Sequence, residues 1–415
     1  MPKCEYYGIC GRDALEDTGK GLCILHSESE GKDEEAFKKA LAEHRTAKGD
    51  NFGRFVFPGC ANFEGNTFTA GADFTRVVFT KEAIFSDATF TAGAEFGEAT
   101  FAEEAYFDDA TFANGEAHFY GATFTKEAIF SRAKCTAGAD FTGATFSRGA
   151  DFAGTEFTNH ALFFGASFLG RTVFSLAKGK ETSSPIFSGT EVDFRGVDIA
   201  PLDSLIFRDV DLTRCRFEGT DLRKAEITGA KWAPIRGRFG VYDEVVDPLV
   251  DGETRSWHHI EKVYRELKQN YEDRRDYERA RDFHYGEKEM RRKHAKTLGR
   301  RFWGLRALLF IYKWVSGYGE HILCPFVWAV ILLGGCSVLY LWFGPCPKGE
   351  NTRLAFSSLW DWLRSAHYSL RVMFLLKPDD FVPIGGAKLV HTAETILGPL
   401  LIGLFGLAVR QRLKR

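Results

Sequence analysis

Four residues near the start have the types and spacing of a metal site. Cys4, Cys10, Cys23 and His26 form a Cys-x5-Cys-x12-Cys-x2-His pattern. Thiolate and imidazole suit tetrahedral zinc, and small structural sites are built from two close donor pairs separated by a loop. A segment this short has almost no apolar core, so a metal would supply its folding free energy. Gly8, Gly11, Gly19 and Gly21 fall at turn positions between the donors. All four donors come from the protein, which predicts a closed structural site rather than a catalytic one with an open position. A second group, Arg371, Lys377, Asp379, Asp380, His391 and Glu394, lies within or between two apolar segments near the other end. Repeated around a symmetry axis, Asp379 and Asp380 would make an acidic ring favouring cations, and Lys377 with Arg371 a basic ring favouring anions. No Ser/His/Asp, Cys/His or paired-carboxylate constellation stands out elsewhere, so the chain is expected not to be an enzyme. His258, His259 and His284 lack both Cys partners and a fixed i, i+4 spacing, and read as surface histidines.

The elements that must position these groups show in the composition. At 415 residues the chain exceeds one ordinary domain. Its net charge of −2 says little, because charge is segregated along the sequence. The 39 Phe and 42 Gly point to a repeat. The 9 Cys follow no secreted disulfide spacing, which fits a reduced, cytosolic bulk. The first residues, MPKCEYYGIC, lack the charged-then-apolar pattern of a cleaved signal. Residues 1–30 are therefore read as a zinc-knuckle-like motif and 31–51 as a short charged helical linker.

From Phe57 the chain is periodic. Phe63, Phe68, Phe74, Phe79, Phe85, Phe90, Phe96, Phe101, Phe107 and Phe112 step alternately by five and six. After one slip the rhythm resumes at Phe119 and continues to Phe174, with Cys135 standing in one Phe position. Ala sits two residues before many of them, as in Ala72, Ala83, Ala94 and Ala105. A helix gives a step near 3.6 and a strand a step of 2, so a sustained short period of this kind predicts a solenoid. The large residue fills the interior and the small one shares it, while Thr, Gly, Asp, Glu and Lys between them face water. Asp and Glu at the turns are read as turn formers. After an irregular stretch at 178–185 the step becomes five at Leu212, Phe217, Leu222, Ile227 and Trp232. The text DVDLTRCRFEGTDLRKAEITGAKW closely resembles the pentapeptide-repeat family, and the five/six part its Phe-rich variant. Over residues 52–235 the resemblance implies a right-handed quadrilateral β-helix of about 20–22 residues per coil and roughly eight coils. Some members imitate DNA and bind gyrase. Here the acidic excess over 52–175 is moderate and is explained by solvation, so the face is expected to be a scaffold or interaction surface.

Residues 253–297 change character to strong helix formers with almost no Gly and no Pro. Trp257, Ile260, Tyr264, Leu267 and Tyr271 share one helical face, and Tyr277, Ala280 and Phe283 begin a second in another phase. The break at Asp273–Asp276 predicts an antiparallel helical hairpin that couples the solenoid to the apolar C-terminal segments; it weakly resembles a tetratricopeptide hairpin. Residues 300–323 mix Arg300, Arg301, Arg306 and Lys313 with Trp303, Leu308, Phe310 and Trp314, the composition of an interfacial amphipathic helix. Gly317-Tyr318-Gly319 spells the core of a potassium filter, but it precedes any span and is read as a helix-ending turn. The basic excess before the first apolar segment predicts contact with lipid phosphates, not nucleic acid.

Phe326–Phe343 is 18 residues without a charge, and Leu389–Val409 is a second apolar run of 21 that contains His391 and Glu394. Either suffices to cross a hydrocarbon core of about 30 Å. Basic residues cluster before the first (Arg291, Arg292, Lys293, Arg300, Arg301, Arg306) and after the second (Arg410, Arg412, Lys414, Arg415). The positive-inside rule then predicts an integral membrane protein with both termini cytoplasmic, in a bacterial inner membrane or its equivalent. Between the spans, Leu354–Leu376 is apolar and helix-compatible but carries Asp361, Arg364 and Arg371, as a re-entrant helix would. Over residues 326–410 this layout resembles the two-helix potassium-channel pore superfamily. Tyr368-Ser369 corresponds to the aromatic-Ser of its pore helix, Asp380-Phe381-Val382-Pro383 to the Asp-x-x-Pro after its filter, and Glu394 with Gly398 to an acidic residue and glycine of its inner helix. The filter departs from the family. Thr-x-Gly-Tyr/Phe-Gly-Asp is replaced by Leu375-Leu376-Lys377-Pro378-Asp379-Asp380, without either glycine. Inward-turned carbonyls need the dihedrals glycine supplies, and Pro378 fixes φ.

The expected fold is multidomain: a right-handed quadrilateral β-helix, an α-helical linker and an α-helical membrane pore domain. The expected function is an ion-channel subunit, weakly selective with cations slightly favoured, whose β-helix regulates or scaffolds the pore. Its expected partners are the bilayer, permeating inorganic ions, further copies of itself (four by resemblance), and an unidentified protein or ligand on the β-helix. The inner helix would bend at Gly398-Pro399 or Gly403. Glu394 is either a pore or gate carboxylate or the partner of a basic group behind the pore. The competing class is a non-conducting, membrane-anchored pentapeptide-repeat scaffold.

Overall fold

The structure is a computed structural model that describes residues 3–15, 21–29, 31–177, 185–246, 256–299, 302–320, 322–343, 346–347, 356, 358–376 and 381–413. The chain divides into two compact units, Met1–Glu287 and Lys288–Arg415.

The first unit is a β-solenoid of about eight turns. Two-residue strands from successive turns stack into four parallel ladders of seven, eight, five and seven strands among the described residues. One ladder runs Val56–Phe57, Val78–Phe79, Thr100–Phe101, Thr123–Phe124, Thr145–Phe146, Ser167–Phe168, Asp198–Ile199. The two step lengths have different jobs. The five-residue step holds a tight turn closed by an i+3 amide, as in Ala88 N to Phe85 O at 3.1 Å and Ala110 N to Phe107 O at 3.2 Å. Its third residue is left-handed, for example Asp87 (φ 57°) and Gly143 (φ 65°). The six-residue step makes the wider corner. The turn-forming role expected of the acids is seen at Asp73, Asp140, Asp151 and Asp193, whose carboxylates each accept the amide two residues on.

The phenylalanines are buried and pack in two directions. Along the solenoid Phe74, Phe96 and Phe119 stack with centroids 4.8 Å apart and planes within 1°. That distance equals the spacing between hydrogen-bonded strands, about 4.7–4.9 Å, so ring stack and ladder share one repeat. Within a turn the rings meet edge to face, as Phe85 and Phe96 do at 5.3 Å and 83°. The slip between Phe112 and Phe119 adds one residue to a wide corner. Ala117 still pairs with Ala94 and Ala139, so register is kept. The extra backbone passes close to the previous turn: a Cβ on Gly115 would lie 2.5 Å from Ala92 O.

Both ends of the solenoid are covered. At the first, α1 (Tyr7–Cys10) and α2 (Glu34–Lys48) lie over the opening coil, where Phe37 meets Phe57 edge-on and Lys32 Nζ donates to Val56 O at 2.6 Å. Asp33 caps α2 through the amides of Glu35 and Ala36. At the second end come a short hairpin (Ala233–Ile235 with Arg238–Gly240), a 3-10 turn (Tyr242–Glu244) and α3 (Trp257–Asp273). Asn270 Nδ2 donates to Leu222 O (2.8 Å), Arg223 O (3.1 Å) and Ala225 O (2.8 Å). Arg274 donates to Ala225 O and Ile227 O, and Trp232 Nε1 to Tyr271 OH at 2.8 Å. These groups satisfy the carbonyls a last coil would otherwise present as an open edge. Helix α4 (Tyr277–Thr297) follows after a turn, with Phe283 stacked on Tyr271. Helix α3 and the first half of α4 cover the end of the solenoid, and the division between the two units falls within α4.

That unit holds α5 (Trp303–Ser316), α6 (Leu323–Phe343), α7 (Leu359–Met373) and α8 (Gly386–Leu413). Gly317 ends α5 in the left-handed conformation, as expected for the Gly-Tyr-Gly turn. Helix α6 and residues Gly386–Arg410 of α8 are long and apolar enough to cross a membrane.

Candidate metal centre and membrane site

The N-terminal donors converge. One pair flanks α1: Cys10 is its last residue, and Gly11 (φ 63°) turns the chain out of it. The other pair shares a turn closed by His26 N to Cys23 O at 3.1 Å. All four donor atoms lie within 4.8 Å of one another and all four residues are buried. His26 Nδ1 stands 3.3 Å from Cys23 Sγ and 3.6 Å from Cys4 Sγ. A zinc ion holding sulfur at about 2.3 Å and nitrogen at about 2.05 Å in tetrahedral geometry separates them by about 3.6 Å. A hydrogen bond from Cys23 holds the Cys10 thiol below its ordinary range, while the same bond and then burial push Cys23 up to about 11. Crowded sulfurs that share protons in this way are relieved by a cation. His26 Nε2 is buried without a hydrogen-bond partner, its ring held between Tyr6 and Phe55. The donor set therefore fits a soft divalent ion, and it also anchors the N-terminal lid.

In the second unit, α6 and α8 pack against each other and α7 packs against both, around a polar centre. Glu394 of α8 is fully buried. Its carboxylate accepts from Tyr340 OH of α6 at 2.7 Å and from Ser369 Oγ of α7. Tyr368 OH meets His391 Nδ1 at 3.2 Å, and Ser365 Oγ donates to Ser337 O at 2.7 Å. Tyr368 also packs edge-on against Tyr340 at 4.8 Å. Gly398 is a contact position: a Cβ there would lie 2.8 Å from Met373 Cα, at the end of α7. A Cβ on Gly403 would meet nothing within 4 Å, and Pro399 sits inside the helix. Of the filter positions, Leu375 (φ 59°) and Leu376 are exposed at the end of α7. Lys377, Pro378, Asp379 and Asp380 lie outside the described residues. Beyond them Phe381–Val382 pairs antiparallel with Cys346–Pro347.

Sequence reasoning placed Tyr368, Ser369, His391 and Glu394 in one domain, and the structure joins them through Tyr340, which that reasoning missed. The signal was a serine and a tyrosine (Ser337, Tyr340) one turn apart in an otherwise apolar span. A second knot was also missed. Glu289, in the second half of α4, accepts from Arg292 (2.5 Å), Lys313 of α5 (3.1 Å) and Tyr318 OH (3.1 Å). Burial works against its charge, but Arg292 and Lys313 prevail and hold its carboxyl at about 2. The Gly-Tyr-Gly turn thus puts a tyrosine on an ion-paired carboxylate.

Residues 52–100 and 92–134 match a family model described as pentapeptide repeats (9 copies), and residues 206–231 one described as pentapeptide repeats (8 copies). The parallel ladders continue through the interval between the two matches. No curated protein and no solved structure matches the chain. The fold and the matches define a pentapeptide-repeat scaffold followed by a C-terminal helical region with two apolar, span-length helices.

Proposed function

We propose that the chain is a subunit of a membrane ion channel whose cytosolic pentapeptide-repeat solenoid regulates or scaffolds the pore. The observation that carries this reading is α7. At 15 residues it is about 22 Å long, too short to cross a core of about 30 Å. Yet buried polar contacts hold it to two span-length helices, and the residues that would line a pore follow it in sequence. Apolar side chains stay open on one side of α8, with Leu389 77 %, Ile396 65 % and Leu400 55 % exposed. A lipid or a further copy would cover them, and four copies around an axis is the proposed assembly. The loop lacks filter glycines, so conduction is weakly selective, with Asp379 and Asp380 giving cations a slight advantage. In this reading the solenoid is a right-handed quadrilateral, zinc occupies the Cys3His cluster as a structural ion, and the chain has no enzymatic role. In this reading both ends of the pore domain lie in the cytoplasm, which the basic flanks support through the positive-inside rule.

A second reading, a non-conducting membrane-anchored scaffold, draws on Glu394 and Gly398. Both are engaged within one copy, and the Glu394 carboxylate is spent on Tyr340 and Ser369 rather than turned toward a pore. Conductance of the purified full chain in a planar bilayer separates the two. The channel reading expects currents that shift toward anions with Asp380→Asn and toward cations with Lys377→Glu. A detergent-stable monomer without conductance overturns it in favour of the anchor.

A further inference from the structure

One flank of the solenoid carries a column in which each wide corner contributes the residue before its inward alanine. Pairing of those alanines (Ala72, Ala94, Ala117, Ala139, Ala161) fixes the column as Gly71, Gly93, Glu116, Gly138 and His160. Glycine is the regular occupant. Glu116 takes the place of glycine just after the one-residue slip, and His160 does so two turns further on. Gly138, between them, has no side chain, and the imidazole of His160 lies over it: a Cβ at Gly138 would stand 2.7 Å from the ring. His160 Nε2 thereby reaches Glu116 Oε1 at 3.3 Å. From the neighbouring column His118 Nε2 reaches the other oxygen, Oε2, at 3.4 Å, and lies 3.7 Å from Glu95 Oε1. Both imidazoles are more than two-thirds buried.

We propose that Glu116, His118 and His160, with Glu95 as a fourth donor, form a binding site for a divalent transition-metal ion. Glu116 and His118 share one turn, His160 lies two turns further on and Glu95 one turn before, and a pair of imidazoles beside carboxylates suits nickel, copper, cobalt and zinc better than the all-oxygen ligation that magnesium and calcium take. The nitrogen–oxygen separations of 3.3 and 3.4 Å approximate an edge of a coordination polyhedron. Its donors are not gathered as closely as those of the Cys3His cluster, so binding requires the partly exposed Glu95 and Glu116 to rotate onto the ion. A recess of about 490 Å³, lined by Asp73, Glu95, Glu116 and His118 over Gly71 and Gly93, opens onto it and gives a cation an acidic approach. The site is independent of the channel reading, because it lies wholly within the solenoid.

Cobalt distinguishes it from the thiolate cluster, since only a sulfur-ligated ion gives strong thiolate-to-metal charge-transfer absorption. Full-length protein in detergent is dialysed to equilibrium against Co²⁺, and bound metal is counted beside the absorption spectrum. His118→Ala/His160→Ala is expected to bind one ion fewer than the unsubstituted chain, with the charge-transfer band unchanged. Glu116→Gln is expected to weaken that ion at least about tenfold. Gly138→Ala, which displaces the ring of His160 while keeping every donor, is expected to weaken it as well. Circular dichroism confirms that each variant is folded. An equal count in the unsubstituted chain and the double variant overturns the site and leaves a hydrogen-bonded cluster only.

Discussion

Asn270 offers the sharpest test of the C-terminal lid. Its side chain is 1 % exposed, and its single NH2 faces three carbonyls of the last coil, at Leu222, Arg223 and Ala225. Two hydrogens serve three acceptors, so Asn270→Ala removes the equivalent of two good hydrogen bonds. Arg274 still reaches Ala225 O at 2.8 Å, which spares that carbonyl and leaves Leu222 O and Arg223 O to bear the loss. At about 1–2 kcal/mol for each buried acceptor left unmet, local stability falls by about 2–4 kcal/mol. Hydrogen exchange on the intact chain in detergent reads this directly. Amides in peptides covering 205–232 are expected to exchange about 30- to 1,000-fold faster, since about 1.4 kcal/mol is a factor of ten and local opening sets the rate. Peptides around Phe96 and Phe119 are expected to be unchanged, because a solenoid turn contacts only its neighbours. Unchanged protection over 205–232 would refute the lid.

Glu289→Gln is expected to loosen the contact between α4 and α5. The carboxyl is held near 2 when folded against an ordinary value of 4.5. Its contribution is therefore present above pH 4.5 and lost as pH falls towards 2, so thermal midpoints of the two proteins should converge over that window. Phe119→Ala opens a cavity between Phe96 and Phe141, stacked at 4.8 and 5.0 Å. A loss of about 3–5 kcal/mol is expected in chemical denaturation. Cys10→Ser is expected to release a zinc ion that the unsubstituted chain retains through gel filtration, and to speed exchange of the Glu5 amide that pairs with Gly21 O.

The solenoid was legible because its period is a packing rule. A phenylalanine every five or six residues can be satisfied only if successive turns superpose. The convergence of Cys4, Cys10, Cys23 and His26 was legible from spacing, and the break between two helices from the change of phase at Asp273–Asp276. The features that escaped depend on distant partners. Nothing local marks Asn270 as a hydrogen-bond donor to residues 45–48 positions upstream, and Glu289 looks like one more charge on a charged helix. Glu394 was open between two roles because its surroundings come from α6 and α7, and the structure gives it hydroxyl partners, Tyr340 and Ser369, in place of a basic group. Gly398 read as a bend because glycine in a helix has two uses. Its contact with Met373 is the second use, close packing.

The chemistry of this chain sits where its rhythm stops. Inside the regular turns the buried positions are mostly rings and methyls, and turn acids such as Asp140 and Asp151 are spent on backbone amides. The Cys3His cluster stands before the first coil, and Asn270 and Arg274 after the last. Glu116 stands in the step from Phe112 to Phe119, which is seven positions long instead of five or six. An inserted residue in a solenoid cannot go inward without breaking the stack, so it is forced onto the surface. There Glu116 occupies a column otherwise kept mostly bare by glycine. It can therefore meet His118 on its own turn and His160 two turns away, across the bare Gly138. A variant that deletes Asn114, restoring the six-residue step, should keep the phenylalanine stack and the alanine register. Glu116 would still precede Ala117 and so stay in the column, and cobalt binding at the flank should be retained. Lost binding in a folded deletion variant would show that the position before Ala117 is not enough to build the site.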